Sequence, residues 1–129
     1  MMRRREAVTE FLNVDLDIRG DSGDLENLLR SMETSVVVLN HAHQEASIEL
    51  AQEFTSLEET VMSLVELIGS LQPDARSIWN RLEFRRLNVG IQAAGEPHAA
   101  CFAISAKAVE LLAARQFEIV FTVYAPLAD

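Results

Sequence analysis

Leu12-Asn-Val-Asp-Leu-Asp-Ile18 alternates apolar and polar side chains without a break, and the same period returns in Leu87–Gln92 (LNVGIQ) and Phe117–Tyr124 (FEIVFTVY). Period two predicts strands that bury one face and turn the other outward. The outward face collects Asn13, Asp15, Asp17, Asn88, Gln92, Thr122 and Tyr124, with Arg86 on the same side of its strand as Asn88. That row of amides, carboxylates, a guanidinium and a phenol is the most informative feature of the chain.

The surrounding elements follow from local signals. Strand one is predicted over Phe11–Ile18, after a lead-in at residues 1–8. Gly20 to Gly23 break it, and Asp21 or Ser22 is placed to cap a helix over Asp24–Met32. In that helix Leu25, Leu28, Leu29 and Met32 form one stripe. Thr34–Asn40 (TSVVVLN) is β-branched and predicts a well-buried strand. Ala46–Ala51 alternates again, and the two form a hairpin around His43 and Gln44.

Thr55-x-x-Glu58 has the spacing of a capping box for a helix over Ser56–Leu71. Pro73 ends it and suits the first turn of another helix. Ala75, Ile78, Trp79 and Leu82 are the buried side of that second helix. Phe84–Gln92 is the next strand, Gly95-Glu96-Pro97 a loop, and His98–Ile104 a short edge strand. Ser105 caps a helix that turns Val109, Leu112 and Ala113 inward, and Phe117–Tyr124 ends the pattern. The predicted order is β-α-β-β-α-α-β-β-α-β. Strands interspersed with helices and hairpins predict an α+β domain, a mainly antiparallel sheet with helices packed on one face.

Length and composition set further bounds. A chain of 129 residues, 49% hydrophobic and 24% charged, fits one globular domain spanning residues 1–129. A net charge of −9 disfavours nucleic acid and anionic membranes, which both call for basic surface. The lone Cys101 excludes an intrachain disulfide and fits a reducing cytoplasm. Arg3, Arg4 and Arg5 are followed by no apolar run, so neither a signal peptide nor a spanning helix is expected.

Ser105–Tyr124 combines a Ser-capped helix of the form S-x-x-x-x-x-L-L-A with a last strand ending in Val-Tyr, and Leu57-Glu58-Glu59 opens an earlier helix. Together these resemble a family of small uncharacterised bacterial proteins. The resemblance rests mainly on the C-terminal part of the chain. It implies a ferredoxin-like α+β arrangement and a bacterial source, and it brings no catalytic residues.

Four constellations carry potential chemistry. His41, His43 and Glu45 share a face if the chain is extended there, and with His98 they would supply ligands for a zinc or iron site. A solvated hairpin end is the plainer account of them. Cys101 and His98 differ by three positions and point to opposite faces of a strand, and Cys101 sits in the apolar run AACFA. It therefore reads as a buried small hydrophobe rather than a nucleophile. Asn13, Asp15, Asp17, Arg86, Asn88, Gln92 and Tyr124 converge if their strands are neighbours, and would bind a polar ligand or a protein. A solvated outer face is the usual fate of such a surface. Arg81, Arg85 and Arg86 are expected to pair with the chain's own carboxylates, such as Asp15, Asp17 or Glu83. Trp79 and the methionines read as packing elements.

These features favour a non-enzymatic ligand- or protein-binding module without a cofactor. A homodimer is expected, by edge-strand pairing or by stacking of polar faces. The alternatives are a metal-dependent or acid–base enzyme using His41, His43, Glu45 and His98, and an acidic immunity- or antitoxin-like protein that masks a basic partner.

Overall fold

The strand built from LNVDLDI is the centre of the sheet. A computed structural model of the chain describes residues 8–95 and 99–127. The elements are β1 (Glu10–Arg19), α1 (Ser22–Ser31), β2 (Val36–His41), β3 (Glu45–Leu50), α2 (Leu57–Gly69), α3 (Pro73–Arg81), β4 (Phe84–Gln92), α4 (Ala106–Ala114) and β5 (Glu118–Tyr124). The sheet order is β2-β3-β1-β4-β5. Every neighbouring pair is antiparallel except β4 and β5, which run parallel. This is an α+β fold with an open, mostly antiparallel sheet.

Alternation explains why the sheet has one dry face. Val14, Leu16 and Ile18 of β1, Ala46 and Ile48 of β3, and Leu87, Val89 and Ile91 of β4 are all buried. They join Leu25 and Leu28 of α1, Val61, Leu64 and Ile68 of α2, Trp79 of α3, and Ala108 and Leu112 of α4 in one core. Full burial of each large aliphatic side chain contributes about 1.5–3 kcal/mol. The helices therefore cover one side of the sheet.

The helix ends are set by side chains. Asp21 accepts from the Asp24 amide at 3.1 Å and starts α1. Arg81 then holds the Asp24 carboxylate through two nitrogens, at 2.8 and 2.9 Å, and ties α3 to α1. Ser56, one residue later than expected, accepts from the Glu59 amide and caps α2. Thr55 and Ser56 are each followed three positions on by a glutamate. The frame starting at Ser56 leaves Glu58 free to reach α4. There its carboxylate accepts from the Ser105 amide at 2.8 Å and the Ser105 hydroxyl at 2.7 Å, which holds its pKa below the usual glutamate value. Pro73 occupies the first turn of α3, as its missing amide proton predicts.

α4 closes with Gln116 at φ 64°, a left-handed position that glycine normally takes. The Gln116 amide donates to Ala113 at 3.0 Å, and the Phe117 amide donates to Leu112 at 3.1 Å. This paired ending turns the chain straight into β5.

Four expectations are corrected. Residues 99–104 form no strand, so the described residues hold five strands rather than six. The free edge of β4 is already taken by β5, delivered in parallel by the α4 crossover. Phe102 and Ile104 pack half-buried against the core instead. β2 is not well buried: it is an edge strand, and only Val36 is covered while Val37, Val38 and Leu39 are exposed. α4 turns Ala108 and Leu112 inward, leaving Val109 and Ala113 exposed. Cys101 is exposed rather than packed away.

Candidate functional site

The face of the sheet opposite the helices carries the polar residues of the alternation, and strand register decides which of them meet. Asp17 of β1 lies between Ser47 of β3 and Arg86 of β4. Arg86 in turn lies beside Glu118 of β5. One row thus runs Ser47, Asp17, Arg86, Glu118. The next places Asp15 beside Asn88 and Asn88 beside Val120. Asn13 faces Gly90, which neighbours Thr122, and Gln92 neighbours Tyr124. The expected residues do share one face.

Asp17 is the hub. Its carboxylate accepts hydrogen bonds from the Ser47 hydroxyl and the Asn88 amide, one from each neighbouring strand. Such half-buried bonds to a charged acceptor hold β3, β1 and β4 in register as well as satisfying the carboxylate. Asp15 differs. It accepts from the Asn13 side-chain amide at 2.9 Å. Partial burial pushes its pKa up, and the nearby carboxylates of Glu49 and Asp17 push it further. Three acidic side chains therefore crowd the middle of the face, on β1 and β3.

Asn13 lies over Gly90 because no side chain stands there. A Cβ at position 90 would come within 2.8 Å of the Asn13 Oδ1. The register shift between Phe11 and Asn13 falls at the same point. Gln92 donates to the Ala125 carbonyl at 2.8 Å and holds the chain just after β5. Tyr124 is exposed at the rim. Toward β2, Asn40, Ser47, Asp17, Phe84 and Arg86 line a depression of about 180 Å³.

Arg81 and Arg86 pair with the chain's own carboxylates as expected, but with Asp24 and Glu118 rather than Asp15, Asp17 or Glu83. Asp15 and Asp17 receive no arginine of the cluster. Arg86 bonds Glu118 at 3.1 Å and stacks over the Phe84 ring at 4.4 Å. Glu83 is taken by Arg19 at 2.8 Å. Arg85, only 8% exposed, points to the inner side. It donates to the carbonyls of Trp79 (2.8 Å), Leu82 (3.0 Å) and Gln116 (3.0 Å). Burial pulls its pKa down. Asp15 and Asp17 are thus not neutralised by the basic cluster, whereas Glu118 of the same face is.

The histidine constellation is dispersed by the hairpin. The chain turns at Ala42–Gln44, and the Ala42 amide donates to the Glu45 carbonyl at 2.9 Å. His41 ends β2 and Glu45 begins β3, so they are not alternate residues of one strand. The Glu45 carboxylate is held by Arg19 at 2.6 Å. His98 lies outside the described residues. Among the described residues, no three His, Cys, Asp or Glu side chains are placed to hold a metal ion.

Sequence reasoning did not place Ser47 and Glu49 on this face, although their alternation with Ile48 and Leu50 was visible. The missing information was that β3 is the neighbour of β1. No family model, curated protein or solved structure matches the chain.

Proposed function

We propose that the protein is a non-enzymatic recognition module whose open sheet face binds a basic protein surface. The observation that carries this reading is an acidic centre that no described arginine compensates, on a sheet face that no described helix covers. Asp15, Asp17 and Glu49 lie together there, while Arg86, the cross-strand neighbour of Asp17, is held by Glu118. A solvated face gains nothing from carboxylates crowded so that one of them resists ionisation. A cationic partner relieves that crowding and gains charge-assisted hydrogen bonds. The overall charge of −9 steers such a partner inward from a distance. Exposed Val37 on β2, and Val120 and Tyr124 on β5, flank the acidic centre and supply apolar contact. The reading agrees with an immunity- or antitoxin-like role, in which an acidic protein masks a basic one. It also fits a ferredoxin-like arrangement of β1 to β4, extended by α4 and β5.

The test is a backbone amide NMR titration with a peptide of alternating lysine and valine. Shifts are expected on β1, β3 and β4 at the open face, with affinity falling as salt rises. They are expected to vanish in Asp15→Lys. A peptide that leaves these strands unmoved, or binds Asp15→Lys as well as wild type, refutes the reading.

A further inference from the structure

We propose that β5 is the pairing edge of a symmetric dimer. In it a second copy of this chain lays its own β5 antiparallel alongside, with Phe121 on the two-fold axis. This edge is distinct from the acidic centre of the open face and goes beyond the reading above.

Backbone direction sets the geometry. The Ala93 amide donates to the Tyr124 carbonyl at 2.9 Å, so Tyr124 turns its backbone groups toward β4. Alternation then turns those of Thr122, Val120 and Glu118 the same way. Ile119, Phe121 and Val123 turn theirs away from β4, and among the described residues no strand lies beyond β5 in the sheet. An antiparallel copy centred on Phe121 places Ile119 opposite the partner's Val123, and Phe121 opposite the partner's Phe121. These are the residues whose amides and carbonyls are free, and in such a pairing each facing pair exchanges both bonds. The same register sets Val120 opposite the partner's Thr122, so the two faces also match.

The side chains at this edge suit a copy of the chain. Phe121 is 51% exposed and Val123 61% exposed, both on the side the helices cover elsewhere. Facing aromatic and β-branched pairs cover each other there. Edge strands are ordinarily protected by lysine, proline or a bulge. β5 has no lysine or proline between Glu118 and Tyr124, and its pairing with β4 shows no register shift. The opposite edge, β2, has a register shift between Val38 and Asn40. Charge selects the occupant. Glu118 is the one ionisable carboxylate of β5 and is held by Arg86, so the edge is nearly neutral on a chain of net charge −9. Two acidic copies approach there without repulsion, whereas a basic partner finds its counter-charge on the open face instead.

Light scattering and sedimentation of the full chain test this at up to several hundred micromolar. The expected result is a dimer, with amide exchange slowed at Ile119, Phe121 and Val123 as concentration rises. Phe121→Pro removes an amide that β4 does not use, and Phe121→Lys places like charges on the axis. Both are expected to abolish the dimer while keeping the far-UV spectrum, and Asp15→Lys is expected to leave it intact. A monomeric wild type overturns the proposal. So does a dimer that survives both Phe121 variants, or one that is lost in Asp15→Lys alone.

Discussion

Replacing Arg85 with methionine tests whether a buried cation holds the helical layer to the sheet. The side chain keeps most of its apolar length and loses its donors. Three carbonyls are affected, those of Trp79, Leu82 and Gln116. Trp79 retains a second donor, the Leu82 amide at 3.3 Å. The other two lose a charged donor, Leu82 in a buried site and Gln116 in a partly buried one. Each such loss costs about 1–3 kcal/mol. Against this, methionine removes a guanidinium whose burial already depresses its pKa, and that relief offsets part of the cost. The net expectation is a loss of about 3 kcal/mol, or about 10 °C in midpoint for a domain of this size. Arg85→Lys is expected to recover less than half, since an ammonium cannot fork to carbonyls in separate directions. Urea unfolding followed by Trp79 fluorescence gives the numbers. Trp79 donates its indole proton to the Arg115 carbonyl at 2.9 Å and packs on Phe117 at 5.0 Å between centroids, so it reports on this junction. A methionine variant within about 0.5 kcal/mol of wild type would refute the argument, because that is the scatter of an ordinary surface substitution.

Two further outcomes follow from single residues. Gln116→Gly is expected to stabilise the protein by about 0.5–1 kcal/mol, since relief at φ 64° exceeds the added freedom of the unfolded chain. A loss in thermal unfolding would show that the 3.4 Å contact of its side chain with Arg85 matters more than the strain. Asp15 has a folded pKa raised above its ordinary value, so the folded state holds its proton more tightly than the unfolded chain does. Its ionisation costs stability as pH rises through the folded pKa, and the cost is absent below the unfolded pKa. Asp15→Asn is therefore expected to melt higher than wild type at neutral pH, with the difference closing below the ordinary carboxylate range. A pH-independent difference between the two melting curves would count against that account.

Strand parity and the helix stripes were legible in the sequence because each is a local property. Leu16 and Asp17 must face opposite ways whatever their neighbours are. Neighbour choice is non-local, and that is where expectation and structure part. Thr34–Asn40 looks like a buried strand by composition, but its place at the edge of β3 exposes it. Residues 99–104 are apolar enough for a strand, yet β5 already holds the edge of β4 beside which they were expected to return. At the site, parity placed Asp15, Asp17, Arg86 and Asn88 on one face. It also carried an overlooked signal for Arg85, which shares the inner side of β4 with Leu87 and Val89. The spacing of His41, His43 and Glu45 does not carry into the structure for a related reason. Spacing along an extended strand says nothing once the hairpin turns between His41 and Glu45.

The central strand leaves the ribosome well before β4, its partner on one side. β1 and β2 run parallel with β3 between them, so β1, α1, β2 and β3 can assemble as a unit from contiguous sequence. The far side of β1 waits for β4, whose Gln92 pairs with Glu10. Until Phe84–Gln92 has been synthesised, that flank of β1 is an open edge in a growing chain. Ser47, which satisfies one side of Asp17, arrives early, and Asn88, which satisfies the other, arrives late. The hydrogen-bonded hub of the mature face is thus half built on the nascent chain. Closing it commits the second half of the domain to the first.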